Sequence, residues 1–336
     1  MHRVLILTVI GLLSSLAHAN VPSWELQTGG GWHLTTAPTT QPIHDETLDR
    51  AEQMIQHGQV GPAKKVVVGW IKSHKDSPIR DRGVYLLGEC NYLVGNRNLS
   101  FYNFDELLDL YPDSRYFYPA LQRQYDIADA YLKGYKNKFL GLPIIDAHIE
   151  ATEMLYRVQQ RSPGSPLAEK ALLRVADYYY SDGEFDVAAD AYAAYIRGYP
   201  RSPHLARVRL RQAFSALAQF RGVRYDATPI IDARQQLQDL QAAYPQLAEE
   251  ENITAIVQRI DKALARKLLD IGDYYTRTHK PSAAVYYYRY LIGSYPDYRE
   301  AQSAQKRISD LPKWAQDQPY PPMFTPTTQP AREERR

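Results

Sequence analysis

The stretch LLRVADYYYSDGEFDVAADAYAAYIRGYP, Leu172 to Pro200, decides the fold. Leu172, Ala176 and Tyr179 share one helical face before Gly183, and Phe185, Ala188, Tyr192, Tyr195 and Ile196 share another after it. That spacing predicts two amphipathic helices joined by a turn at Gly183. Pro200 stops the second helix, because proline lacks the backbone donor and disfavours helix in the residue before it. Other copies align on their stops. Back from Pro296 stand Ile292, Leu291, Tyr288, Ala284, Tyr275, Gly272 and Leu268 at the same offsets. Pro112 recovers Leu108, Leu107, Phe104, Gly95, Gly88 and Val84. An earlier copy without the proline ends at Lys75, and stops at Pro163 and Pro245 mark two more.

The pattern resembles the tetratricopeptide repeat (TPR), a helix-turn-helix unit of about 34 residues with small, aromatic and proline positions at fixed offsets. The expected fold is therefore all-α, a superhelical solenoid of about six repeats with a C-terminal capping helix. In each copy the small residue of the first helix (A), such as Ala176 or Gly272, lets the second helix (B) approach. Two copies carry insertions between their helices, at Gly134 to Leu142 and at Arg221 to Thr228. Pro143-Ile144-Ile145-Asp146-Ala147 and Pro229-Ile230-Ile231-Asp232-Ala233 then match, and both predict a helix start with proline in its first turn. From about Leu247 to Thr278 the absence of proline predicts one long helix, and Arg299 to Leu311 predicts a cap over the last apolar face.

Composition bounds the rest. Among 336 residues, 40 Lys+Arg nearly balance 38 Asp+Glu, so nothing concentrates the chain on a phosphate backbone and nucleic acid is not an expected partner. One cysteine rules out an internal disulfide or a thiolate zinc cluster, and Cys90 reads as a small buried group on a helix. The surplus is tyrosine, 27 against 8 Phe and 4 Trp, and many of these fall at fixed repeat positions, where a ring fills a gap between helices.

The N-terminus has a basic start, an apolar run from Val4 to Leu16 and an Ala17-His18-Ala19 end. Those are the parts of a secretory signal peptide, and the run is short for a membrane span. The expected layout is a signal peptide at 1–19, a disordered linker at 20–43, a TPR pair at 44–112, a second TPR region at 113–298, a capping helix at 299–314 and a disordered tail at 315–336.

The second half carries a closer resemblance. From Pro166 to Asp297 a compact repeat precedes one whose insertion ends in Asp226-Ala227-Thr228-Pro229. Then comes the long helix closing on Asp273-Tyr274-Tyr275-Thr276-Arg277, followed by Ala283-Ala284-Val285 and Ser294-Tyr295-Pro296-Asp297. This order resembles the outer-membrane lipoprotein BamD (YfiO) family, the TPR subunit of the β-barrel assembly machinery. The resemblance implies a non-catalytic scaffold, exported to the periplasm and peripheral at the outer membrane. It would bind barrel-assembly components and unfolded barrel-protein segments, with no cofactor; with Cys90 the sole cysteine, the chain itself is expected to meet the membrane only through a partner. The chain departs from the family in lacking the lipid-bearing cysteine after the cleavage site, in its two added N-terminal repeats, and in showing no full repeat after Pro296. The alternative is a periplasmic TPR adaptor for cell-wall or division machinery of the Tol-Pal type. That family carries an N-terminal coiled coil, and Asn20 to Gln41 shows no heptads.

On each A helix one residue follows the small one directly: Glu52, Glu89, Asp129, Asp177 and Asp273, with Phe214 in the fifth copy. Tyr92 and Tyr180 stand one turn further along the same stripe. Spaced carboxylates with intervening tyrosines suit an extended peptide, so these seven form the candidate peptide-binding groove. The same acids could instead bond neighbouring helices. Tyr85 and Tyr125 are further aromatic candidates on this face. Catalytic and metal sites are not expected: no His pair stands at i, i+4, no HExxH, no G-x-S-x-G and no framed phosphate loop occurs.

Overall fold

The computed structural model describes residues 24–26, 32–34, 44–139, 142–145, 148–222 and 224–317. The expected signal peptide, most of the 20–43 linker and residues 318–336 of the tail lie outside them. Within the linker, β1 (Trp24–Leu26) pairs antiparallel with β2 (Trp32–Leu34).

The chain divides into two compact units, Met1–Arg174 and Val175–Arg336. The first contains α1 (Glu46–Gln56), α2 (Val60–Ser73), α3 (Arg80–Leu93), α4 (Arg97–Leu110), α5 (Phe117–Leu132), β3 (Asn137–Phe139), β4 (Leu142–Ile145) and α6 (His148–Arg161). The boundary falls within α7 (Pro166–Asp182). The second contains α8 (Phe185–Gly198), α9 (Leu205–Ala218), α10 (Thr228–Ala243), α11 (Pro245–Glu250), α12 (Ile253–Arg277), α13 (Pro281–Ser294), α14 (Arg299–Ser309) and α15 (Lys313–Gln316). Within each unit consecutive helices pack on one another in helix-turn-helix pairs, as the repeat requires.

Local chemistry starts and joins these helices. Asp45 accepts from the Leu48 N–H at 2.9 Å as the N-cap of α1 and from Trp70 Nε1 at 2.8 Å, which ties α1 to α2. The small positions are occupied by rings. A Cβ added to Gly88 would lie 2.5 Å from Phe104 Cε1, and one added to Gly272 would strike the Tyr288 ring. Tyr131, Tyr192, Tyr195 and Tyr288 are fully buried, so much of the tyrosine surplus is core. Cys90 is fully buried on α3, and burial pushes its thiol up to about 11.

Three expectations fail at element boundaries. Pro143 does not start a helix: Leu142–Ile145 pairs with Asn137–Phe139, and α6 begins at His148. The β-branched pair Ile144-Ile145 finds a partner strand there, whereas Pro229 takes the first turn of α10 as expected. The long helix is interrupted, since Asn252 sits at φ 52 between α11 and α12. Asparagine is among the few residues that enter the left-handed region readily. The capping helix ends at Ser309, and Pro312 separates it from the short α15. Ala304 and Ile308 of α14 still seal the cluster around Leu269 and Tyr288.

Candidate functional site

Each acid of the stripe meets an arginine on the next A helix or, for Asp273, on the capping helix α14. In the first unit Arg82 Nη2 on α3 donates to Glu52 Oε2 of α1 at 2.7 Å and lies 2.7 Å from Asp49 Oδ1. Arg123 of α5 grips Glu89 of α3 with two parallel bonds, Nε at 2.7 Å and Nη2 at 2.9 Å, the fork geometry that makes arginine–carboxylate pairs strong. Arg174 donates to Asp129 Oδ1 at 2.6 Å, and Lys133 closes on Oδ2 at 2.6 Å. In the second unit Asp177 accepts the Tyr192 hydroxyl at 2.6 Å and has Arg211 at 3.4 Å. Asp273 accepts the Tyr288 hydroxyl at 2.6 Å and pairs with Arg307 of α14.

The fifth copy, with Phe214, has no acid to offer. There the link to α12 comes from the B helix, where Arg234 of α10 pairs with Asp261.

The electrostatics follow from these contacts. Burial works against the Asp129 carboxylate, but the Lys133 and Arg174 bonds outweigh it and hold the group below the usual range. The Glu89 bonds raise the Arg123 guanidinium against its burial. Burial and then the Asp177 bond push the Tyr192 phenol up, so it remains a donor at any physiological pH.

The aromatic candidates divide. Tyr125 is 4% exposed, with Lys170 Nζ 4.4 Å from its ring centroid, and Tyr85 stacks on Tyr116 at 4.6 Å, so both are spent in packing. Tyr92 and Tyr180 stay half-buried. The Tyr92 ring carries Arg123 at 4.6 Å and Arg97 at 5.5 Å, and Tyr180 carries Arg211 at 5.2 Å.

Within each unit the stripe is thus a near-neutral set of carboxylate, guanidinium and phenol groups rather than a row of free anions. It can exchange hydrogen bonds with a polypeptide backbone. Among the described residues no group of three His, Cys, Asp or Glu could hold a metal ion. Sequence reasoning missed the arginines. Apart from Arg307, each lies on the A helix after its acid, but the offset from the small residue changes from Arg82 and Arg123 to Arg174 and Arg211, so no single register exposes them.

Residues 146–310, just under half of the chain, match the family model "YfiO: Outer membrane lipoprotein". No curated protein sequence matches the chain. Several solved TPR proteins are similar at low identity. A tetratricopeptide repeat protein from Parabacteroides merdae shares 11% identity over 79% of this chain and 96% of its own, with a TM-score of 0.34. PilF of Pseudomonas aeruginosa shares 14% over 78% and 96%, with a TM-score of 0.29. PilW, described as a type IV pilus biogenesis factor, shares 15% over 79% and 100%, also at 0.29. Among the described residues no helix is long and apolar enough to cross a membrane.

Proposed function

We propose that this tetratricopeptide repeat protein, which resembles the BamD (YfiO) family, is an exported, non-catalytic scaffold acting in outer-membrane β-barrel protein assembly. The observation that carries the reading is the family match over residues 146–310, which spans the repeat with the 221–228 insertion and the long α12. Protein partners follow from the fold, because stacked helix pairs offer ordered side chains at regular intervals.

The binding surface proposed is the stripe on the A helices: Glu52, Glu89, Tyr92 and Asp129 in the first unit, and Asp177, Tyr180 and Asp273 in the second. Because each acid is paired with an arginine, a bound peptide needs no particular net charge. Its backbone bonds to the outward oxygens and N–H groups, and its apolar side chains rest on Tyr92 and Tyr180. Glu52 and Asp177 are the most accessible acids, with side chains 46% and 38% exposed.

The assembly role is tested by cross-linking and pull-down from solubilised envelopes. Barrel-assembly components are expected in the eluate, and their absence overturns the role. The stripe is tested by titrating an unfolded barrel-protein peptide against Tyr92→Ala, Tyr180→Ala and the pair Glu52→Gln with Asp177→Asn, each first checked for wild-type helicity. Weakened binding is expected, and unchanged affinity in all of them removes the stripe from the reading.

A further inference from the structure

One edge of the first unit gathers exposed apolar side chains and cations that the stripe does not use. The turn between α3 and α4 presents Leu93 at 49%, Val94 at 50% and Leu99 at 48% exposure, with Tyr102 one turn further along α4 at 63%. Tyr135, just past the end of α5, donates its hydroxyl to Gly95 O at 2.9 Å, so the α5 end stands beside that turn. Lys136 is exposed there too.

Arg97 is the centre of this edge. Its guanidinium lies 3.8 Å from the Tyr135 ring centroid and 5.5 Å from that of Tyr92, and its Nε is buried without a hydrogen-bond partner. It makes no ion pair with any described residue, unlike the arginines of the stripe, each of which holds a carboxylate. Two rings therefore fix a cation whose counter-charge no described residue supplies.

We propose that this edge docks on an anionic bilayer surface, with Arg97 at a lipid phosphate, Lys136 beside it, and Leu93, Val94 and Leu99 entering the headgroup boundary. Apolar side chains carried on a turn among cations, rather than lining a groove, suit a lipid surface, where burial of apolar area and attraction to anionic headgroups act together. The contact would be direct, in place of the partner-only association expected from the sequence. It rests on different residues from the proposed peptide stripe, Tyr92 excepted.

The test uses the full chain labelled with an environment-sensitive fluorophore at Val94→Cys. The native Cys90 is buried and its thiol is pushed up, so it stays unlabelled. Asp113→Cys, exposed in the turn between α4 and α5, is the control. With phosphatidylglycerol vesicles the label at 94 is expected to shift to the blue and the label at 113 to stay unchanged, with little response to phosphatidylcholine vesicles. Since a juxtamembrane cation is worth about 1 kcal/mol, Arg97→Gln and Lys136→Gln should each weaken the response about fivefold. No shift at 94, an equal shift at 113, or a response indifferent to both cation variants overturns the proposal.

Discussion

The second and sixth repeats solve one packing problem with different chemistry. In both, an A-helix glycine accepts a B-helix ring against its backbone, Gly88 under Phe104 and Gly272 under Tyr288. In both, the next residue is an acid that reaches an arginine two helices further on, Glu89 to Arg123 and Asp273 to Arg307. The difference is one hydroxyl. Phe104 fills the gap and stops there, while Tyr288 also donates to Asp273, so ring, acid and arginine become one linked unit. Asp177, Tyr192 and Arg211 repeat that arrangement in the fourth copy. Tyrosine at this position thus couples packing within a repeat to the link between repeats, and phenylalanine leaves the two separate.

The largest expected effects break the shared part. Phe104→Ala should destabilise the first unit by about 3–5 kcal/mol in urea unfolding, since Phe104 is fully buried. Tyr288→Ala should do at least as much in the second, because it also removes a hydrogen bond to Asp273. Gly88→Ala and Gly272→Ala come next, at about 1–3 kcal/mol each, as the new Cβ must displace a ring. If either alanine proves neutral, the glycine is not what admits the ring.

Sharpening the difference needs the hydroxyl alone. Tyr288→Phe and Tyr192→Phe keep the ring and remove a hydrogen bond to a carboxylate, so each should cost about 1.5–3 kcal/mol. The comparison predicts that the tyrosine variants also weaken the coupling measured by double-mutant cycles with Arg211→Ala and Arg307→Ala. A cycle on Phe104→Leu with Arg123→Ala should show none. Equal coupling in both copies would erase the distinction drawn between them.

Asp129 offers a check by pH. Its folded carboxyl is held below 3.8, the unfolded value. The stability it contributes is therefore complete above that value and is lost as pH falls through the lower folded one. Asp129→Asn should be less stable than wild type at neutral pH and should unfold less steeply in acid, as followed by circular dichroism below pH 4.

Much of this was legible in the sequence because the repeat states it several times. The ring and small positions recur at fixed offsets from Pro112, Pro200 and Pro296, so periodicity alone identifies the helix pairs and their core faces. The acids were visible for the same reason. Their partners were not, because an ion pair between neighbouring repeats tolerates sliding by a helical turn, as Arg123 and Arg211 show. Boundaries misled where local propensity met a non-local partner. Ile144-Ile145 paired into a hairpin that no helical pattern contains, and Asn252 broke a helix whose apolar spacing continues through it.

The smallest predicted effect concerns the turn between the two helices. In the first, second and fourth copies a glycine takes the left-handed conformation there, Gly58 at φ 76, Gly95 at φ 81 and Gly183 at φ 86. The sixth copy puts His279 at φ 54. A side chain in that region costs about 1–2 kcal/mol relative to the right-handed form. Glycine removes that strain but returns about 0.5–1 kcal/mol of backbone entropy to the unfolded chain. His279→Gly should therefore stabilise the second unit by about 0.5 kcal/mol, and Gly183→Ala should destabilise it by about 1 kcal/mol, because the strain there is added while the entropy gained is small. Opposite signs at two turns of one fold are the expected result in thermal unfolding. Destabilisation by His279→Gly would mean that the histidine side chain contributes more at this turn than its backbone strain takes away.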